Sequence, residues 1–476
     1  MAAYAPTPEQ QAIIDAARDR HHLVIQAGAG TGKTSTLKMV ARALDGVPSL
    51  YIAYNRVTAE EARRDFPEHV QCKTAHALAF GVVGVKYRHR LNGPRQPARR
   101  AAELLGINTW LDLTTRVSPT QIARIAIETV ARFCYSADRT IETRHVPRQR
   151  GLTVDDHAAL AEVAARYARR AWDDITDPDG RLRFEHDHYL KIWAMTDPVL
   201  PAELVMLDEC QDSNPLVAHL VQSQPAQQIA VGDSAQQLYA WRGAVDALGD
   251  WRADHRLYLS QSWRFGPKIA DEANKWLSLL DTGLRLTGNP ALGSELATLP
   301  AAHAILCRTN GEAVGQVMAA MNAGHRVALV GGGGAIRRLA EAARDLKEGR
   351  RTSHPELWVF NTWQEVQDYS DEPSGRDLAP FVTLIDTHGV DTIIDAVDRL
   401  SDERRADVVV STGHKAKGRE WDTVRIGDDF PEPQRDEDGE LEDVPDADAM
   451  LAYVAVTRAR LRLDRGSLAW IDRYLG

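Results

Sequence analysis

The apolar run Leu23-Val24-Ile25 leads through Gln26 into Ala27-Gly28-Ala29-Gly30-Thr31-Gly32-Lys33-Thr34, and this passage constrains the fold more than any other. A buried strand that ends in a glycine-rich turn and opens a helix with Gly-Lys-Thr makes a phosphate cradle. Its backbone N–H groups point at phosphate oxygens, the helix N-terminus adds its positive end, and Lys33 adds a point charge. The Thr34 hydroxyl is suited to ligating Mg²⁺. The strict pattern begins with Gly, where this chain has Ala27. A second glycine run, Val330-Gly-Gly-Gly-Gly-Ala335, is not followed by Gly-Lys-Thr and reads as a tight connection.

The second informative stretch is Leu204-Val-Met-Leu-Asp208-Glu209-Cys210-Gln-Asp212. Here an apolar strand ends in two carboxylates. Asp208 can hold the metal's water, and Glu209 can activate the water that attacks. The cradle and the acid pair together predict a hydrolase of nucleoside triphosphates.

Composition narrows the setting. A chain of 476 residues, 44% hydrophobic and 26% charged, predicts a soluble protein of roughly two to four domains. There is neither an apolar run of about 18 residues nor a charged-then-apolar leader, so a membrane partner and secretion are not expected. The four cysteines are far apart with no Cys-x-x-Cys pair, which disfavours zinc or an iron–sulfur cluster and fits a reducing, cytoplasmic setting. The net charge of −10 argues at first against nucleic acid, but its distribution matters more. Residues 86–150 hold 13 Lys/Arg against 5 Asp/Glu, whereas Arg435 is the one basic residue of the acid-rich segment 428–448.

Local patterns supply the architecture. Thr7-Pro-Glu-Gln10 reads as a helix start, with Thr7 as N-cap and Gln10 at the third helical position. Strands are expected at 23–26, 49–54 and 70–74, with a helix from the phosphate loop to about residue 44. Residues 81–197 turn Arg- and Ala-rich with helical periodicity, predicting a basic helical insertion. Buried strands return at 204–207 and 228–231, and a second strand–helix series begins at 304–307 and 326–330 and continues at 408–411 and 423–426. Strands alternating with helices, with polar groups at their C-terminal ends, predict an α/β fold of two doubly wound parallel sheets. The first domain is expected to comprise 1–80 and 198–257, interrupted by 81–197. The second comprises 258–330 and 407–476, interrupted by a small insertion at 331–406. The acidic segment 434–446 reads as a mobile loop, and Asp464-Arg-Gly466 as a hairpin turn.

Taken in order, these segments resemble the UvrD/Rep-like superfamily-one DNA helicases. Within that group the resemblance is to the helicase region of F-box DNA helicases and their bacterial relatives, although no F-box is read here. Three segments carry it: Cys72-Lys-Thr-Ala-His-Ala-Leu-Ala79, Gln261-Ser-Trp-Arg-Phe-Gly266, and Ala406-Asp-Val-Val-Val-Ser-Thr-Gly-His-Lys-Ala-Lys-Gly418. The resemblance implies two RecA-like domains.

It also implies roles for individual residues. Gln10 resembles the glutamine that reads adenine, favouring ATP, since an amide can pair with the N7/N6 edge of that base. Ser35 stands where many relatives stack an arginine, and Trp263 where they have a stacking aromatic. Gln236 matches the γ-phosphate sensor. Arg264, and Arg458 in Tyr453-Val-Ala-Val-Thr-Arg-Ala459, match arginine fingers that reach the γ-phosphate from the second domain. Glu420 is similar to the residue that accepts from the ribose. For DNA, the resemblance implies Tyr54, Asn55, Thr74, His76, Tyr239, Trp241 and Arg242 in the first domain and Arg308, Asn310 and His414 in the second.

The function so implied is an ATP- and Mg²⁺-dependent DNA helicase or translocase. It would move 3′ to 5′ on single-stranded DNA and at duplex junctions, in repair or recombination, associated with the nucleoid if the host is bacterial. Two alternatives are weighed beside a more distant third, a small-molecule phosphotransferase, which leaves two arginine-bearing lobes and the tryptophan track unexplained. One is a translocase that strips proteins from single strands and unwinds poorly, favoured by the 18 residues that follow Arg458. The other is a nucleotide-switched DNA-binding module, disfavoured because Glu209, Gln236, Arg264 and Arg458 are all present.

Overall fold

The computed structural model describes residues 5–94, 96–238, 248, 249, 251–435 and 441–476. Two compact units divide the chain, one of residues 1–27 and 32–259 and the other of residues 28–31 and 260–476.

The first unit is built on six parallel strands: β1 (Leu23–Ala27), β2 (Ser49–Ile52), β3 (Val70–Lys73), β4 (Leu204–Leu207), β5 (Gln227–Gly232) and β6 (His255–Leu259), in the order β3-β2-β4-β5-β1-β6. β2, β4 and β5 are buried along their whole length, as expected where helices cover both faces of a parallel sheet. Alternate residues share a face. Leu23, Ile25, Leu204, Met206, Ile229 and Val231 therefore enter one core with Ile13 and Leu37 from flanking helices. Each such side chain contributes about 1.5–3 kcal/mol by leaving water. The helix Pro8–Arg18 starts where the sequence predicts, with Thr7 and Gln10 closing a reciprocal capping box.

Between β3 and β4 the described chain is helical. Ser118 caps Pro119–Tyr135, which has proline in its first turn. The 23-residue helix Val154–Thr176 buries Ala161, Ala164, Ala165, Ala168 and Ala171. A face of alanines lets the neighbouring helix approach closely, and Pro119–Tyr135 fills the space with Ile122, Ile125, Val130 and Phe133.

The second unit carries β7 (Glu295–Leu296), β8 (Ala304–Cys307), β9 (Val327–Leu329), β10 (Val408–Thr412), β11 (Trp421–Ile426) and β12 (Ala459–Asp464), all parallel, in the order β7-β12-β11-β8-β10-β9. The helices Gly334–Lys347, Trp363–Asp371, Ala379–His388 and Val390–Asp398 are not a separate body. Leu339, Trp363, Ile385 and Ile393 pack into one core with Leu329 and Val410 of the sheet.

The α/β class with two parallel sheets is the one expected from sequence. Three strands were not anticipated. β6 opens on the exposed pair His255-Arg256, β12 alternates Arg460 and Arg462 with apolar residues, and β7 has two residues, so none shows a long apolar run. The expected hairpin at Asp464-Arg-Gly466 is corrected: β12 pairs in parallel with β7 and β11, and the chain continues into a 3₁₀ turn at Gly466–Trp470. The supposed loop 434–446 lies partly outside the described residues, and its described ends Arg435 and Leu441 form an antiparallel bridge. No helix among the described residues is long and apolar enough to cross a membrane.

Candidate functional site

The site forms at the C-terminal ends of β1, β4 and β5. After β1 the backbone enters the left-handed region at Gly30 (φ 74°) and Gly32 (φ 82°), which glycine adopts at little cost. The Thr31 hydroxyl donates to the Gly28 carbonyl at 2.9 Å and tightens the turn. The helix Lys33–Ala43 begins at Gly32 without any side-chain cap, so its first N–H groups are left to a ligand. Ala27 and Ala29 are buried and Ser35 is exposed.

Lys33, Thr34, Asp208 and Glu209 come together. Lys33 Nζ lies 3.3 Å from Glu209 Oε2. Burial alone would lower the Lys33 pKa, but Glu209, Asp233 and Asp208 outweigh it, and the net direction is upward. The ammonium is therefore retained. Thr34 Oγ1 donates to Asp208 Oδ2 at 2.9 Å. Asp208 itself is raised above the usual carboxylate range, first by burial and then by Glu209. A hydroxyl and a carboxylate are hard oxygen donors, and Mg²⁺ typically takes one or two such protein ligands together with phosphate and water. These residues fit that ion. Glu209 has φ 50° and ψ 45°, a left-handed conformation that costs a non-glycine residue about 1–2 kcal/mol.

Three residues not singled out from sequence complete the cluster. The Tyr51 hydroxyl donates to Asp208 Oδ2 at 2.6 Å. Burial, then the facing carboxylate, raises the phenol far above its ordinary value, so it stays a donor. Gln211 Nε2 donates to Glu209 Oε2 at 2.7 Å, and Gln211 Oε1 accepts from the Asp233 N–H at 2.9 Å. Asp233 Oδ2 in turn accepts from Gln236 Nε2 at 2.6 Å. A continuous chain of contacts thus joins Lys33, Glu209, Gln211, Asp233 and Gln236. The available signal was a hydroxyl in the buried strand Ser-Leu-Tyr-Ile, because a buried tyrosine O–H needs a partner.

Gln10 is buried, its Oε1 accepting from the Thr7 N–H and its Nε2 donating to Thr36 Oγ1 at 3.1 Å. One donor hydrogen and one lone pair of the amide remain for a base edge.

In the second unit Arg264, Glu420 and Arg458 lie close together. Arg264 Nε donates to Glu420 Oε2 at 2.6 Å, so this carboxylate, expected to accept from ribose, accepts from arginine. Arg264 Nη1 also donates to the Thr457 carbonyl at 3.2 Å. Arg458 is 1% exposed, donating to the carbonyls of Val454 and Arg419 and to Thr457 Oγ1. Trp263 is 53% exposed.

The residues expected to touch DNA are spread over both units. Asn55 and Thr74 are N-caps, accepting from Thr58 and Ala77 N–H. Tyr54 is exposed. His76 pairs with Asp187 at 2.9 Å. Arg308 pairs with Asp377 at 2.7 Å and with Asp448 at 3.1 Å. Asn310 Oδ1 accepts from Lys415 Nζ at 3.2 Å. Burial, then Arg308, lowers the His414 pKa. Tyr239, Trp241 and Arg242 lie outside the described residues.

The family model described as an AAA domain matches residues 10–242, and that of the UvrD-like helicase C-terminal domain matches residues 336–464. F-box DNA helicase 1 of Gallus gallus is 28% identical over 95% of this chain and 48% of its own length. F-box DNA helicase protein 1 of Schizosaccharomyces pombe is 27% identical over 96% of this chain and 57% of its own. DNA helicase IV of Escherichia coli K12 is 26% identical over 54% of this chain and 45% of its own. The chain spans about half the length of the curated relatives it matches.

Proposed function

The chain belongs to the UvrD-like superfamily-one helicases, and from that premise we propose that it is an ATP-driven motor moving 3′ to 5′ along single-stranded DNA and unwinding duplex in repair or recombination. The motor domains are assigned to 1–80 with 198–257 and to 258–330 with 407–476. The observation that carries the reading is the continuous set of contacts from Lys33 through Glu209 and Gln211 to Asp233 and Gln236.

Each residue then has a task. The loop from Ala27 to Thr34 binds the triphosphate through its backbone N–H groups, and Lys33 adds charge. Thr34 and Asp208 would hold Mg²⁺, Asp208 through one of the ion's waters, and the ion would supply positive charge to the phosphate oxygens. Glu209 orients the attacking water and takes its proton, and Gln211 fixes the carboxylate that does so. Gln236, hydrogen-bonded to Asp233, is the proposed sensor of the γ-phosphate. Arg264 and Arg458 are the proposed guanidinium groups that stabilise the transferred phosphoryl oxygens. Gln10 and Trp263 recognise adenine, and Glu420 accepts from the ribose. The proposed DNA track is formed by Tyr54, Asn55, Thr74, His76, Tyr239, Trp241, Arg242, Arg308, Asn310 and His414.

ATP hydrolysis with and without single-stranded DNA tests this reading, measured for wild type and for Glu209→Gln. Strong stimulation by DNA that disappears in the variant supports a motor. Hydrolysis indifferent to DNA overturns it in favour of a nucleotide-switched binding module. Strand displacement from substrates with a 3′ or a 5′ tail then separates unwinding from translocation and reads polarity.

A further inference from the structure

Asp208 has more hydrogen-bond partners than a metal ligand with one spare hydroxyl neighbour requires. A carboxylate offers four lone-pair directions, two on each oxygen. On Oδ2 both are taken, by the hydroxyls of Tyr51 at 2.6 Å and Thr34 at 2.9 Å. On Oδ1 one is taken, by the Glu209 N–H at 2.9 Å. Among the described residues one direction remains, on Oδ1.

Of the three donors, the Tyr51 hydroxyl is the one fixed by a separate strand. Tyr51 sits on β2, in register with Met206 of β4, and is fully buried. Its ring packs on Phe66 with centroids 4.7 Å apart. Strand and ring together hold the hydroxyl at one point. Thr34 can donate its single hydrogen to Asp208 while a lone pair of the same oxygen coordinates an ion, so its contact to Oδ2 is compatible with metal. Removal of the Tyr51 donor frees one lone pair on Oδ2, leaves Thr34 on the other, and loosens the hold on rotation of the carboxylate about its Cβ–Cγ bond.

We propose that Tyr51 is a positioning residue for the metal: its hydroxyl occupies Oδ2 of Asp208 so that Oδ1 is the oxygen presented to a water of Mg²⁺. This rests on reading Thr34 and Asp208 as the Mg²⁺ residues. Groups that orient a ligand from behind typically change metal affinity about 10–100-fold when removed, and a donor on a rigid strand orients more firmly than one on a loop.

The test is Tyr51→Phe, which deletes one oxygen and keeps the ring against Phe66. Mn²⁺ is the probe, titrated by electron paramagnetic resonance into the full chain saturated with ADP. Binding of fluorescent ADP in EDTA and the melting temperature report the fold. The expected result is Mn²⁺ affinity weakened about tenfold or more, with metal-free ADP binding unchanged and melting lowered by no more than the loss of one buried hydrogen bond. Mn²⁺ affinity equal to wild type overturns the proposal and leaves the assignment of Thr34 and Asp208 standing. Loss of metal-free ADP binding together with a lowered melting temperature also overturns it, because the role is then structural. If wild type and Thr34→Ala bind Mn²⁺ alike, the metal-site reading itself falls and the proposal falls with it.

Discussion

Lys33 Nζ and Glu209 Oε2 stand 3.3 Å apart, so the proposed phosphate-binding cation and the proposed general base form an ion pair. A γ-phosphate placed at Lys33 competes for the ammonium and releases the carboxylate toward water. Glu209→Gln keeps the shape and the Gln211 contact but removes the base. It is expected to lower DNA-stimulated hydrolysis about 10²–10⁴-fold while retaining ATP binding. Single-turnover hydrolysis beside equilibrium binding of ATP checks this, and loss of binding in the variant would assign Glu209 to the cradle instead.

Arg264 and Arg458 converge on Thr457, one through its carbonyl and the other through its hydroxyl, yet their substitutions should differ. Arg264 is partly exposed and its partner Glu420 can be rehydrated, so Arg264→Ala should cost at most about 1 kcal/mol of stability. Its cost in hydrolysis should reach about 10³-fold if it acts as a finger. Arg458 is buried, and its loss takes a donor from the Arg419 carbonyl and one of two donors from the Val454 carbonyl, which keeps the Thr457 hydroxyl. Arg458→Ala should cost about 3 kcal/mol, or about 10 °C in the melting of its unit, in addition to activity. Thermal melts of the two variants make the distinction. Equal melting temperatures would contradict the burial argument.

What was legible in the sequence divides along chain separation. Lys33 and Thr34, and likewise Asp208 and Glu209, are neighbours in contiguous motifs whose apolar strands announce them. Tyr51 reaches Asp208 across 157 positions, and no local pattern says which strand lies beside which. Gln211 lies inside the acidic motif, but its bond to the Asp233 N–H depends on β4 pairing with β5. Likewise β10 was legible as a buried apolar run, whereas β12 was hidden by Arg460 and Arg462, exposed side chains that alternate with its apolar ones. Asn55 and Thr74 could be read only as DNA candidates. The structure adds that each spends its side chain on capping a helix.

The Gln211 bridge also gives Gly232 a reason. A Cβ there would lie 2.3 Å from Gln211 Oε1 and 2.9 Å from Leu248 Cδ1. Gly232→Ala should therefore push Gln211 away from Glu209 and Asp233, at about 1–3 kcal/mol in overpacking. Hydrolysis should fall about tenfold or more, the worth of one hydrogen bond to a charged group. Gln211→Ala should reproduce the loss of hydrolysis without the Cβ clash. Steady-state hydrolysis of the two variants is the check, and a normal rate in Gln211→Ala would remove the bridge from the mechanism.

Stability of the helical region should depend on pH through His188. Burial lowers its pKa from 6.5 to about 4, against a smaller raising effect of Asp187. The unfolded chain then binds more protons than the folded one between those values. Stability is fully present above about pH 6.5 and is lost as pH falls toward 4. The loss attributable to this one group should be about 2 kcal/mol by pH 5. His188 Nδ1 accepts from the Glu185 N–H, and a His188→Gln variant can keep that acceptor without titrating. Denaturant unfolding at pH 7 and pH 5 should show wild type losing more stability than the variant. An equal loss in both proteins would mean that His188 is protonated in the folded chain.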